Sequence, residues 1–192
     1  MIETQRLRLR QWRRADDGPF AQLNADPEVM RYFPTTLSRA DSDTMAARIR
    51  ARIAQRGWGF WAVERLSDNA MLGFVGLECP RPEVPISPCV EIGWRLARAH
   101  WGHGYATEAA KAALHFAFEH LLLSEVVAFT VPENQRSQAV MMRLAMVRQP
   151  TLFELPSVPP GHPMRKQCWY RIAVPQTLRR GTPVDYGAGA ST

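Results

Sequence analysis

Lysine is almost missing from this chain: Lys111 and Lys166 are the only two among 24 basic residues, so arginine carries nearly all of the net charge of +6. The arginines are scattered over many segments and do not form one basic run interleaved with aromatics. That pattern argues against a nucleic-acid partner and leaves a mild field favourable to a polyanionic ligand. Cysteine is scarce too. Cys79, Cys89 and Cys168 form an odd set without CxxC spacing, so neither a disulfide framework nor a zinc site is expected, and the three read as buried, reduced thiols. No apolar run approaches the ~20 residues a membrane helix needs, and Met1-Ile2-Glu3-Thr4-Gln5-Arg6 lacks a signal-like apolar segment. The expected address is the cytoplasm, with no membrane partner. No acidic cluster announces a polycationic substrate.

What remains is an ordinary globular composition, 46% hydrophobic and 22% charged over 192 residues, enough for one core. A single domain over residues 1–178 is expected, followed by a flexible, glycine-rich tail over 179–192. Thr4 to Trp12 alternates as a strand, with Leu7 and Leu9 on one face and Arg6, Arg8 and Arg10 on a face expected to be solvated at the sheet edge. A short helix follows from Ala15 to Leu23. A second turn runs from Asp26 to Phe33 and is ended by Pro34. Ser38 is the N-cap candidate and Gly57 the stop of a clear helix whose apolar stripe is Met45, Ile49 and Ile53. Gly59 to Glu64 and Met71 to Leu77 read as a hairpin around Ser67-Asp68-Asn69-Ala70, hence antiparallel pairing.

The chain is organised around Val90 to Lys111. Val90, Ile92, Trp94 and Leu96 alternate with Glu91, Gly93 and Arg95, a half-buried strand with Glu91 facing away from the main core. Trp101-Gly102-His103-Gly104-Tyr105-Ala106 then lets the backbone approach a ligand closely before a helix whose first N–H groups lack intrahelical partners. That is a phosphate-binding arrangement. It is not a P-loop, because no Gly-Lys-Ser/Thr follows, and it lacks the third glycine of a dinucleotide fingerprint, Thr107 standing there. On the following helix Ala106, Ala109, Ala110, Ala113, Leu114, Ala117 and Leu121 form the packing stripe, with Glu108, Lys111, His115 and Glu119 opposite. Glu125 to Val131 is the next strand. A helix from about Asn134 to Met146, a strand near Leu152-Phe153, a proline-rich loop and a last strand from Cys168 to Val174 complete the chain.

Glu-Ile-Gly-Trp-Arg-Leu followed by His-Trp-Gly-His-Gly-Tyr-Ala-Thr-Glu-Ala resembles the acetyl-CoA-binding core of the GNAT superfamily of N-acetyltransferases, in the branch of the ribosomal-protein N-acetyltransferases. The second motif, Asn134-x-x-Ser137 with Val140-Met141-x-Arg143-Leu144-Ala145-Met146, is similar to the same family, and the likeness runs over roughly residues 2–174. The family core is commonly Gln/Arg-x-x-Gly-x-Gly/Ala; here Ala99 holds the first place, after Arg98. Ala145 stands where the family has glycine.

The resemblance implies an α+β fold, a three-layer α/β/α sandwich with a mixed, mostly antiparallel seven-stranded sheet and about four helices. It also implies acetyl-CoA as co-substrate without a metal, and acetyl transfer to a primary amine, of a protein N-terminus or a small molecule, by direct attack in a ternary complex. Trp101, Gly102, His103, Gly104, Tyr105 and Ala106 would bind the diphosphate, Leu96 N–H the thioester oxygen, and Asn134 and Ser137 the rest of the cofactor. Glu91 is the candidate base, the other reading being a surface carboxylate or arginine partner. Met141 occupies the place of the family's acid tyrosine, which leaves Ser137 as the candidate acid, with a plain helix-start serine as its other reading. Tyr170 is a more distant acid candidate. Tyr32, Phe33, Trp58, Phe60 and Trp61 offer aromatic walls for an acceptor pocket between the early helices and the last loop. A non-catalytic acyl-CoA sensor on the same scaffold is the alternative, and a homodimer is left open.

Overall fold

A computed structural model describes residues 1–174, so the expected tail at 179–192 and the domain end at 178 lie outside the described residues. Eight strands form one sheet in the order β1-β2-β3-β4-β5-β6-β8-β7: β1 Ile2–Glu3, β2 Leu7–Arg10, β3 Phe60–Arg65, β4 Met71–Glu78, β5 Glu91–Leu96, β6 Glu125–Thr130, β7 Val147–Glu154 and β8 Lys166–Ala173. Every neighbouring pair is antiparallel except β5 with β6. The sheet has one strand more than the seven expected. The extra is β1, whose two residues pair with Leu9 and Arg8 and are too short to show a period.

That short strand moves β2 off the sheet edge. Arg10 is buried, not solvated, because the turn before α1 brings Asp16 onto its face: its guanidinium bonds Asp16 at 2.7 Å and Glu64 at 2.7 Å, and Arg8 and Arg13 reach the same Glu64 carboxylate. Arg6 is engaged as well, as described below.

Helices α1 (Asp17–Ala25) and α2 (Arg39–Arg56) cover one face of the sheet, and α3 (Tyr105–Glu119) and α4 (Gln135–Arg143) the other. Phe20 of α1 packs edge-on against Phe74, while Phe116 of α3 meets Trp61 on the opposite face. The ends of α2 are those read from the chain: Ser38 accepts from Asp41 N–H, and Gly57 takes a left-handed φ of +80°. Ile49 and Ile53 are buried, Met45 only partly, and Ala46 and Ser42 complete the stripe. On α3 the alanines at 109, 110, 113 and 117 are fully covered, which lets the helix lie close on β4 and β5.

Candidate active site

The site grows from one irregularity in the sheet. β5 and β6 run parallel but share only the Glu91–Val127 register, with Val127 N–H bonded to Val90 O at 3.0 Å. Beyond it the two strands part. Within β5 the direction of each amide follows from the alternation of a ladder: Ala97 N–H goes to Leu72 O on β4, and Val90 O faces β6. Leu96 therefore turns both its N–H and its C=O into the gap. Its carbonyl is held there by Trp101 Nε1 at 2.8 Å, and its N–H points into the wedge where β6 has left.

After β5 a single 3-10 turn, Arg98–His100, leads to the glycine bend. Gly102 and Gly104 have φ of +80° and +79°, values that side-chain-bearing residues adopt only at a cost, and Gly104 caps α3. Glu108 N–H is the first to bond back, to Gly104 O at 3.0 Å. Among the described residues, the N–H groups of Gly102, His103, Gly104, Tyr105, Ala106 and Thr107 have no acceptor. Six consecutive amide donors at the positive end of a 15-residue helix can hold a diphosphate.

Other residues lock this bend in place. Arg6 donates to His103 O at 3.0 Å, pairs with Glu108 at 2.6 Å and lies over the Tyr105 ring at 4.7 Å; Thr4 donates to Glu108 at 2.6 Å. Glu108 is thus a structural clasp and not the solvated residue expected of its helix face. Its desolvation is outweighed by these donors, which hold its carboxyl below the usual range. Arg136 stacks over Trp101 at 4.7 Å and places a further cation beside the bend.

Glu91 is half-buried on the sheet face covered by α1 and α2, directly opposite Glu78 on β4. Glu78 is clamped by Arg52 at 2.5 Å and Arg56 at 3.0 Å from α2. Among the described residues Glu91 itself has no ion-pair or hydrogen-bond partner on its side chain, so the arginine-partner reading does not apply. Burial first, and then the charge of Glu78, push its carboxyl up to about 8. The thiols are less acidic than usual, Cys89 being pushed up to about 12 by burial and by Glu91, and Cys79 and Cys168 raised mainly by burial. Only Cys168 is fully buried; Cys79 and Cys89 are partly covered.

At the start of α4, Asn134 Oδ1 accepts from Ser137 N–H at 3.2 Å and its Nδ2 donates to Thr130 at 3.0 Å, a plain cap. The Ser137 hydroxyl is half-buried and makes no bond among the described residues. Met141 is buried at the expected tyrosine place, and Tyr170 donates to Gln138 at 3.0 Å inside the core. The helix stops at Arg143, short of the expected Met146, and Ala145 takes φ +58° where a glycine would be relaxed.

The expected acceptor walls divide, with Phe33 and Phe60 on the Glu91 face around Arg95 and Phe74, and Trp61 on the other face. Trp61 is in the core on the α3 face, Trp58 stands beside Arg56, and Phe60 packs on Phe74. The cavity on the Glu91 face is instead a groove of about 560 Å³ lined by Ile86, Cys89, Val127, Phe153, Trp169 and Arg171, among others. Sequence reasoning missed the Glu78 clamp, the Arg6 staple and the Arg95 contacts. For Glu78 the signal was present, since it ends the strand that pairs with the one Glu91 begins.

An acetyltransferase (GNAT) domain matches residues 6–147, and the chain belongs to that family. It is an N-acetyltransferase, and acetyltransferases of this family use acetyl-CoA. It is 29% identical to the FsC-acetyl coenzyme A-N(2)-transacetylase of Aspergillus fumigatus over 171 residues, covering 84% of this chain and 71% of that protein. Among solved structures it resembles a GNAT-family acetyltransferase from Bacillus anthracis, with TM-score 0.75 and 25% identity over 90% of this chain and 97% of that one. The fold is shared with RimL, a ribosomal L7/L12 alpha-N-protein acetyltransferase solved with coenzyme A, at TM-score 0.70 and 17% identity over 90% or nearly so of both chains (89% and 96%).

Proposed function

We propose that this enzyme transfers the acetyl group of acetyl-CoA to a primary amine, on a protein N-terminus or a small molecule, by direct attack with donor and acceptor bound together. Acetyl-CoA supplies an activated thioester. The residues fit it: the open amides of residues 102–107 suit its diphosphate, with Arg136 beside them, and the wedge between β5 and β6 offers the Leu96 N–H to an acyl oxygen on which charge grows. Glu91 takes a proton from the acceptor ammonium, directly or through water. A base near 8 is well matched to that task, being partly ionised at neutral pH yet strong enough to deprotonate an amine. Ser137 stands as proton donor to the departing thiolate. Direct attack, without an acyl-enzyme, is supported by the three thiols, all of them made poorer nucleophiles by their surroundings.

The observation that carries this reading is the run of six amides without acceptors at the mouth of the wedge. Gly104→Val tests it. The site has room for a side chain, the nearest atom to an added Cβ being Arg6 Nη2 at 3.6 Å, but the φ of +79° disfavours one. Turning the bend to relieve that strain disperses the amides. Calorimetry is expected to show coenzyme A affinity falling at least about tenfold while the circular dichroism of the fold is kept. Retained affinity in a folded variant refutes the cradle.

A further inference from the structure

Resting on that acetyl-transfer reading, we infer that Arg95 is a recognition site for a carboxylate carried by the acceptor, so that the amine substrate is of the amino-acid class.

Arg95 follows Glu91 by four residues on β5 and so lies on the same face, about 13 Å further along the strand. It is 9% exposed. Its alternating position suggested a polar face away from the core, yet it is closed in by α1 and the segment after it. Nη1 donates to Asn24 Oδ1 at 2.6 Å, Phe33 covers the guanidinium at 4.1 Å and Phe74 approaches at 5.4 Å. Asn24 is itself fully buried and fixed by Ser42, its Nδ2 donating at 2.9 Å.

Among the described residues no carboxylate lies within ion-pairing distance of Arg95, in contrast to Arg8, Arg10, Arg13, Arg52 and Arg56, each of which has one. Its Nε is buried without any acceptor, and Nη2 makes no bond. Nε and Nη2 together are one complete edge of the guanidinium fork, the edge that grips a carboxylate through two parallel N–H···O bonds. A buried cation with neutral neighbours is unfavourable for the fold alone, because desolvation is uncompensated by an opposite charge. Burial accordingly pulls Arg95 down to about 10, with no acid nearby to oppose it.

A role confined to stability would need only the Asn24 bond. The unpaired edge belongs to the residue just before Leu96, whose N–H is proposed to hold the acyl oxygen. It so suits an acceptor whose amine meets the acetyl carbon there while its carboxylate reaches Arg95, the Phe60 ring over Gly93 standing between Arg95 and Glu91. Of the two rings on the guanidinium, Phe33, in the segment between α1 and α2, is 39% exposed and Phe74 only 4%, so the Phe33 side is the one nearer solvent.

The test uses the full chain and matched amines: L-amino acids, their carboxamides and the corresponding decarboxylated amines, alongside short peptides with and without an Asp or Glu side chain. Wild-type kcat/KM is expected to favour the carboxylate member of a matched set by roughly 10- to 100-fold. The peptide arm tells whether the carboxylate is the α-group or a side chain. Arg95→Met should level the members through KM, with coenzyme A affinity unchanged, and Arg95→Lys should restore only part of the preference. Wild-type indifference to the carboxylate, or an Arg95→Met enzyme that keeps the preference, overturns the inference. Should the variant not fold, or no amine turn over, calorimetry on the wild type loaded with coenzyme A decides. N-acetyl amino acids must then bind more tightly than their amides, and equal binding refutes Arg95 while saying nothing of acetyl transfer.

Discussion

Replacing Glu91 by glutamine removes one titrating group at nearly constant volume and so separates two consequences of its environment. The first is kinetic. With its carboxyl near 8, Glu91 is about one-tenth ionised at pH 7, and its ionised fraction rises about tenfold per pH unit until it levels above 8. Dividing wild-type by variant kcat/KM at each pH cancels the titration of the acceptor amine. That ratio is expected to climb between pH 6 and 8, flatten beyond, and reach about 10²–10⁴ on the plateau, the range of general-base catalysis.

The second consequence is thermodynamic. A carboxyl whose folded value lies above its unfolded one binds its proton more tightly in the folded state. Its contribution is therefore complete below about 4.5 and is lost as pH rises towards 8. The ceiling on that loss is roughly 5 kcal/mol; half-burial and solvent screening bring it to on the order of 2 kcal/mol. At pH 8.5 the glutamine variant should thus melt about 4–8 °C above wild type, with little difference at pH 5. Thiol release and calorimetric melting are the assays. A kinetic ratio that stays flat from pH 6 to 9.5 removes Glu91 as base, and equal melting at both pH values refutes the raised carboxyl.

Two further predictions concern the framework. Ala145→Gly relieves a left-handed φ of +58° and is expected to stabilise the chain by about 0.5–1 kcal/mol after the greater freedom of glycine in the unfolded state is counted, read as a rise in melting temperature of roughly 1–4 °C. Glu64→Gln leaves Arg8, Arg10 and Arg13 facing a neutral amide in a 1% exposed site and should destabilise by about 3–5 kcal/mol in urea. Asp16 and Glu64 are both held below their ordinary values, since arginine donors outweigh their desolvation. The stability they add is therefore present at neutral pH and drains away as pH falls through the carboxylate range, a loss that Glu64→Gln should lessen.

The chain's periodicities made most of this framework readable. The β5 alternation, the glycine bend, the Ser38 and Gly57 ends of α2 and the Asn134 cap are all local, and each was visible in a few consecutive residues. What escaped depends on contacts distant in sequence. Arg10 alternates like an edge residue, and only Asp16 and Glu64, the latter 54 residues away, close over its face. Glu108 looks solvated on a helical wheel, yet Thr4 and Arg6 reach it from more than a hundred residues away. Arg95 shares its parity with Glu91, but nothing in β5 says that Asn24 and Phe33 will close over it. The acceptor walls parted for a different reason: aromatic residues are equally at home in a core, and Trp61 went there while Phe33 and Phe60 stayed on the Glu91 face.

The single shared register between β5 and β6 leaves the two plates of the sheet, β1 to β5 and β6 to β8, strand-paired along one short seam that α3 spans from one side. A slender molecule bearing amides of its own, threaded into the opening, would act as the missing rungs and zip the plates together. Melting should then move to higher temperature when such a guest is present, so that the architecture couples the grip on a donor to the cohesion of the whole scaffold.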